Sequence, residues 1–209
     1  MSRAVRIALV VVGAALVAVV GAIVWVSTHD GDAEAAPIPG PGEGRTVVAD
    51  PSIELPYLVE VPGGPDGCPG GTFRSPAEPL RAPQDGNAAV MLPSSEGAAV
   101  IVACIGAVEE NGSVEEFVAD ILSGKAGDEA VASGMFERDT LPTSLLVERL
   151  SSPHGDDIVL TSRVGLSLLT DHYVERDGWV HAIGYLRREA TGDIDRAVVD
   201  AILASWQWR

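Results

Sequence analysis

The longest apolar run of the chain lies near its N-terminus, where residues 7–28 carry no charge and almost no polar atom. The hydrocarbon core of a bilayer is roughly 30 Å thick, and about 20 helical residues cross it. We therefore predict a transmembrane helix over residues 7–28. Arg3 and Arg6 precede the run, so the positive-inside rule makes residues 1–6 a cytoplasmic stub and places the C-terminal part outside.

A cleavable signal peptide is the alternative interpretation of this segment. Signal peptides combine an apolar core of about 7–15 residues with a small-x-small cleavage site, and residues 33–35, Ala-Glu-Ala, have that form. The apolar core is longer than this here, which favours an uncleaved, single-pass anchor in the cell membrane. A lipoprotein is excluded because the first cysteine is Cys68.

Small residues recur every fourth position within the apolar run, at Ala14, Ala18 and Ala22. That spacing lets two helices approach closely in lipid. A weak homodimer through these three residues is therefore a further expectation.

The pattern changes beyond the apolar run. Proline and glycine are frequent between residues 37 and 44, and we interpret residues 29–50 as a flexible linker. Residues 51–209 have a normal single-domain size. Alternation from Ile53 to Val61 predicts a strand, close to a sheet edge because Pro56 cannot donate a ladder hydrogen bond. Further strands are predicted at residues 88–92, 98–105, 145–150, 158–164, 166–175 and 179–187.

Two helices are predicted between and after these strands. Ser113 and Glu116 have the spacing of a capping box before an apolar stripe. A C-terminal helix, capped by Asp193, carries a stripe that ends in Trp206. Strand runs joined by short turns, with few helices, indicate an extracytoplasmic α+β domain with an antiparallel sheet packed against helices.

Charge restricts the choice of partner. The chain has a formal net charge of −16, and since Arg3 and Arg6 are the only charges before residue 29, the remainder carries −18. A domain this acidic repels nucleic acid, so we expect no nucleic-acid function.

Cys68 and Cys104 are the two cysteines of the chain. An even number of cysteines in an exported domain favours a disulfide between them. Two separate buried thiols are the alternative.

Candidate chemistry is sparse. A hairpin turn at Asp177-Gly178 puts His172 and His181 on one face of a strand pair as diagonal neighbours. A zinc site would need a third ligand there, so two isolated polar strand residues are the preferred interpretation. His154, Asp156 and Asp157 have an ordinary turn composition. We predict no catalytic residue, no metal and no cofactor.

A resemblance to a known group rests on the end of the first strand, Val-Pro-Gly-Gly at residues 61–64, and on the closing helix, Ala-Ile-Leu-Ala-Ser-Trp-Gln-Trp at residues 201–208. In these motifs and in its order of elements the chain resembles the PsbP-like group, which includes the actinobacterial lipoprotein LpqN family. The resemblance implies an αβα sandwich and a non-enzymatic binding or assembly role. The lipidated N-terminal cysteine of those lipoproteins is absent from this sequence.

These observations lead to one expected function and two alternatives. We expect a membrane-anchored envelope protein, tethered through residues 7–28, whose domain binds a ligand or an envelope protein partner without catalysis. An envelope hydrolase or metal-dependent enzyme with an unrecognised site is one alternative. A secretion-associated accessory protein is the other.

Overall fold

A computed structural model describes residues 37–64, 67–93, 97–124, 143–152, 155–191 and 195–209. The predicted membrane segment, residues 7–28 with Ala14, Ala18 and Ala22, lies outside these ranges. Within the ranges, no helix has both the length and the apolar character needed to cross a bilayer.

Strands rather than helices dominate the part of the chain that the structure describes. The elements in chain order are β1 (Arg45–Thr46), β2 (Tyr57–Val61), β3 (Gly71–Ser75), β4 (Ala88–Met91), β5 (Ala99–Ala107), α1 (Val108–Asn111), α2 (Val114–Leu122), β6 (Thr143–Ser152), β7 (Gly155–Val164), β8 (Ser167–Arg176), β9 (Trp179–Arg188), a 3-10 turn (Glu189–Thr191), α3 (Arg196–Ala204) and β10 (Gln207–Trp208).

The strands form two sheets. The larger has seven strands in the order β1-β6-β7-β8-β9-β5-β4, and the smaller has three in the order β10-β3-β2. All neighbouring strands are antiparallel except β1, which runs parallel to β6. The large sheet is therefore mixed.

The predicted α+β class, with an antiparallel sheet between helices in a PsbP-like αβα sandwich, is wrong. The described residues are mostly β, the large sheet is mixed, and among these residues α2 and α3 are the two helices longer than one turn. The error has a local cause. Residues 62–87 have the glycine and proline content of a loop, yet they contain β3. In a second sheet, β3 pairs on one side with the preceding strand β2 and on the other with β10 from the C-terminus.

The large sheet has two differently covered faces. We call one the sandwich face, because the small sheet and α3 pack on it around Phe73, Val102, Ile183, Ile202 and Trp206. We call the other the helix face, because α2 packs on it. The core residues of the helix face include Phe117, Val118, Ile121, Leu160 and Tyr173.

Local signals explain the central elements. Asp177 and Gly178 both have positive φ, 50° and 79°, the conformation that a two-residue hairpin turn requires. This turn gives the predicted register, in which Val174 pairs with His181 and His172 with Ile183. Helix α2 begins with the predicted capping box: Glu116 N–H donates to Ser113 Oγ at 3.2 Å, and Ser113 N–H donates to Glu116 Oε2 at 2.9 Å.

Residues 37–50, which we call the strap, contact the domain, whereas the sequence predicts a flexible linker there. Ile38 packs against the helix-face core, and Val47 is buried in the sandwich-face core. Between them, Arg45 donates two hydrogen bonds to the Asp200 carboxylate on α3, at 2.8 and 2.9 Å. Short strands such as β1 carry no periodic pattern, which is why the sequence gives no sign of this docking.

The C-terminus also differs from its prediction. Helix α3 ends at Ala204, and Gln207 and Trp208 form β10 beside β3. Trp206 is buried, as predicted, and its ring stacks on Phe73 with 5.5 Å between centroids. The predicted cap, Asp193, lies outside the described residues.

Candidate functional site

Four side chains from four separate segments meet at one end of the sandwich face. We call this group, Cys68, Cys104, His181 and Trp208, the disulfide corner. Cys104 lies on β5 directly opposite His181 on β9, next to a β-bulge. The Gly-rich loop before β3 supplies Cys68, and β10 supplies Trp208.

The two cysteines are bonded, in agreement with the predicted pairing, and their Cα atoms are 6.7 Å apart. Two glycines make room for the bond. A Cβ on Gly86, whose φ is +76°, would come within 2.8 Å of the Cys104 Cβ, and one on Gly64 within 3.1 Å of the Cys68 Cβ. A larger residue at position 86 would thus meet both a steric and a conformational penalty.

His181 is the ionisable member of the corner. Its Nε2 lies 3.9 Å from the Cys68 Sγ, and its ring lies 4.6 Å from the Trp208 ring between centroids. Burial lowers the pKa of His181 to about 4, and the negative charge of Asp177 opposes this shift only weakly. The imidazole is therefore neutral at pH 7.

His172 lies on the same face but has different surroundings. Its Nδ1 is 3.6 Å from the Asp157 Oδ2, and both side chains are almost completely buried. The two histidines therefore have different neighbours: a carboxylate lies beside His172, and a sulfur atom lies beside His181. Asp157 is a buried residue of β7, whereas the sequence predicts a turn there.

A buried acid lies on the helix face. The Tyr173 hydroxyl donates a hydrogen bond to Asp171 Oδ2 at 3.3 Å. Burial raises the pKa of Asp171 to about 7, and the tyrosine hydrogen bond lowers it only partly. Burial together with the charge of Asp171 raises the pKa of Tyr173 well above its usual value. Asp171 lies between Leu169 and Tyr173 on one face of β8, and both of these side chains are buried.

A small surface depression lies beside the strap. One cavity of about 170 Å³ lies between the strap and the end of β6 and β7, below the 300–1,000 Å³ typical of drug-sized ligand sites. Its lining residues are Gly42, Gly44, Thr46, Arg149, Leu150, Ser151 and Asp156.

The outer strand of the small sheet presents apolar side chains to solvent. Tyr57 and Leu58 on β2 are 40% and 56% exposed. Among the described residues, β2 pairs only with β3, so its other side is an open sheet edge.

Comparison with known proteins adds no assignment. No protein-family model matches the chain, and no curated protein matches it at a significant level. The PsbP-like resemblance stays a prediction.

Proposed function

We propose that the protein is a membrane-anchored component of the cell envelope whose domain binds a protein partner at the open edge of β2. The uncharged residues 7–28 support the anchor, and Arg3 and Arg6 support an outward-facing domain. The disulfide between Cys68 and Cys104 suits the oxidising compartment that this orientation implies.

The backbone direction of β2 is the observation that carries this proposal. Leu58 pairs with Arg74, and the Arg74 N–H donates to the Ser205 Oγ, away from β2. In an antiparallel pair of this kind both residues direct their backbone groups away from each other. The N–H and C=O of Leu58 therefore point to the open edge, where a further strand can bind them.

Side chains at the same edge favour a peptide with apolar character. Leu58 is more than half exposed on a strand edge, a position that soluble proteins usually cover or charge. Addition of an extended segment to such an edge obtains affinity from main-chain hydrogen bonds and specificity from side-chain contacts. The partner we propose is an extended segment of a protein in the same compartment, with an apolar residue placed against Leu58.

Site-specific photocross-linking of the full chain in its native membranes tests this proposal. A photoreactive residue at Tyr57 should give one adduct of defined mass, and the same residue at Leu166, an 88% exposed turn position, should give none. Leu58→Pro removes the outward N–H without removing a β2–β3 hydrogen bond, so the adduct should disappear. Leu58→Ala keeps that N–H and should only weaken the adduct.

Two results would contradict the proposal. Equal labelling at positions 57 and 166 would show that contact is not specific to the edge. An adduct at Tyr57 that survives Leu58→Pro, in a variant whose circular dichroism matches the parent chain, would show that backbone pairing is not the mode of binding.

A further inference from the structure

The disulfide corner holds three potential metal ligands in one place. The Cys68 Sγ, the Cys104 Sγ and a ring nitrogen of His181 all lie within 4.8 Å of one another. In the disulfide the sulfurs are bonded to each other, so neither is a thiolate. We propose that the corner is a redox-gated zinc site: two-electron reduction of the disulfide leaves two thiolates and one imidazole that bind a single Zn²⁺.

The distances already suit zinc. Zn–S bonds of about 2.3 Å and Zn–N bonds of about 2.0–2.1 Å in a tetrahedron put sulfur and nitrogen about 3.5 Å apart. The Cys68 Sγ and His181 Nε2 are 3.9 Å apart before any rearrangement. Two sulfurs on one zinc lie about 3.8 Å apart by the same geometry, so the main change is separation of the two sulfurs.

The backbone permits that separation. Cα atoms joined by a disulfide are usually about 4.4–6.8 Å apart, and the 6.7 Å between Cys68 and Cys104 is near the upper limit. The side chains therefore converge from well-spaced backbones. Rotation of the cysteine side chains moves the sulfurs apart while β5 and β9 stay paired.

The charge and the exposure of the corner both suit Zn²⁺. Two thiolates and one imidazole around Zn²⁺ have no net charge, whereas around Cu⁺ they carry a charge of −1, which is costly in a buried site. Cys68 and His181 are almost fully buried, but Cys104 is partly exposed. Water can therefore take the fourth tetrahedral position from the Cys104 side.

The gating step is a thiol–disulfide exchange with a dithiol reductant. A thiolate of the dithiol attacks one sulfur of the Cys68–Cys104 bond, which forms a mixed disulfide and releases the other cysteine. The second thiolate of the dithiol then attacks the reductant's own sulfur in the mixed disulfide and releases the first cysteine. The protein gains two electrons and two protons, and the dithiol leaves as its own disulfide. Zinc binding to the two thiols releases those two protons.

Zinc titration of the reduced full chain in detergent micelles tests the proposal. The chain is reduced with dithiothreitol and desalted without oxygen, then titrated with Zn²⁺ against a chromophoric chelator. We expect one zinc per reduced chain and none per oxidised chain. Co²⁺ in place of zinc should give a thiolate-to-metal charge-transfer band, and fluorescence should change because Trp208 adjoins His181.

Matched histidine variants separate a folded site from binding by an unfolded reduced chain. Even outer-shell partners of a metal ligand contribute 10–100-fold to affinity, so His181→Phe should weaken zinc binding by more than about 100-fold. His172→Phe, on the same face but outside the corner, should leave it unchanged. Circular dichroism of each reduced chain checks the fold.

Three outcomes would overturn the proposal. Equal loss of affinity in the two histidine variants would show that zinc binds without the native arrangement. A Co²⁺-loaded chain without a thiolate-to-metal charge-transfer band would show that the cysteines do not coordinate the metal. Zinc binding that survives in the Cys68→Ser/Cys104→Ser chain would show that the thiolates are not its ligands.

Discussion

The two faces of the large sheet each bury an ionisable side chain, and burial acts on them in opposite directions. On the sandwich face it lowers the pKa of His181 to about 4, and on the helix face it raises the pKa of Asp171 to about 7. Both shifts favour the uncharged form. The same loss of water therefore makes one face sensitive to acid and the other sensitive to base.

The sign of each effect follows from linkage. His181 has a lower pKa in the folded state than its usual 6.5, so its contribution is fully present above pH 6.5 and is lost as pH falls toward 4. Asp171 has a higher pKa than its usual 3.8, so its contribution is present below pH 3.8 and is lost as pH rises toward 7.

These two dependences cancel over a shared interval. Between about pH 4 and 6.5 each group differs by one proton between folded and unfolded states, which corresponds to a slope of about 1.4 kcal/mol per pH unit. The slopes have opposite signs. The stability of the parent chain should therefore show little pH dependence from this pair. Removal of either group should reveal the pH dependence that the other contributes.

The largest expected effect belongs to the sandwich face alone. Trp206→Ala removes a buried ring that stacks on Phe73, and such truncations reduce the free energy of unfolding by about 3–5 kcal/mol. Urea denaturation of the full chain measures the change. Trp208→Ala is the control, since Trp208 is only partly buried and should cost less. Equal losses would show that β10, rather than the aromatic stack, holds this face together.

Removal of the disulfide should be the next largest effect. The bond closes a loop with a sequence separation of 36 residues, which stabilises a fold by about 3–4 kcal/mol in the chain-entropy model. Cys68→Ser/Cys104→Ser should lower the free energy of unfolding by that amount. The pH dependence that Asp171 contributes should not change. Non-reducing mass mapping of the parent chain should show one linked peptide pair, and two alkylated thiols would contradict it.

Asp171→Asn should reveal the pH dependence of stability that His181 contributes on the sandwich face. Without the acid, His181 dominates, and the free energy of unfolding should rise by roughly 3 kcal/mol from pH 4 to 6.5, relative to the parent chain. Chemical denaturation at half-unit pH steps measures the slope. A difference curve that stays flat would mean that Asp171 ionises normally in the folded protein.

His181→Phe is the mirror experiment, and its effect is somewhat smaller because the pKa of His181 is displaced by less than the pKa of Asp171. The free energy of unfolding relative to the parent should fall by up to about 3 kcal/mol between pH 4 and 6.5. Phenylalanine preserves the ring beside Trp208, so the pH slope can be separated from packing. A slope of the same sign as in Asp171→Asn would refute the opposition of the two faces.

The smallest expected change in stability belongs to the strap, which contacts the cores of both faces. Arg45→Ala breaks the ion pair with Asp200, which is partly exposed, and such pairs contribute about 0.2–1 kcal/mol. The loss should decrease in high salt because ions screen it. A loss that is larger than this and independent of salt would mean that the pair orders the whole strap.

Elements with strong local signals could be predicted from the sequence. The turn at Asp177-Gly178 fixes the β8–β9 register, and the capping box at Ser113 fixes the start of α2. The second sheet could not be predicted, because β10 pairs with Thr72 and Gly71, more than a hundred residues earlier. Residues 205–209 look like the last turn of a helix when only their neighbours are considered.

The candidate site shows the same limit. The disulfide and His181 are each visible in the sequence, but their meeting depends on the pairing of Cys104 with His181 between β5 and β9. Several antiparallel registers of β5 and β9 are compatible with the sequence, and tertiary packing determines which of them forms. The composition places Asp157 in a turn for a simpler reason: β7 begins at Gly155, inside a segment rich in turn-forming residues.

The docked strap also sets the reach of the domain from its proposed anchor. With residues 7–28 in the bilayer and the chain fixed to the sheet from Ile38 onward, the intervening residues 29–37 can extend to at most about 30 Å. The distance between the membrane and the β6 side of the domain is then limited to this length. The β2 edge therefore stays close to the membrane surface, and a partner strand must lie at a similar distance from the membrane to bind it.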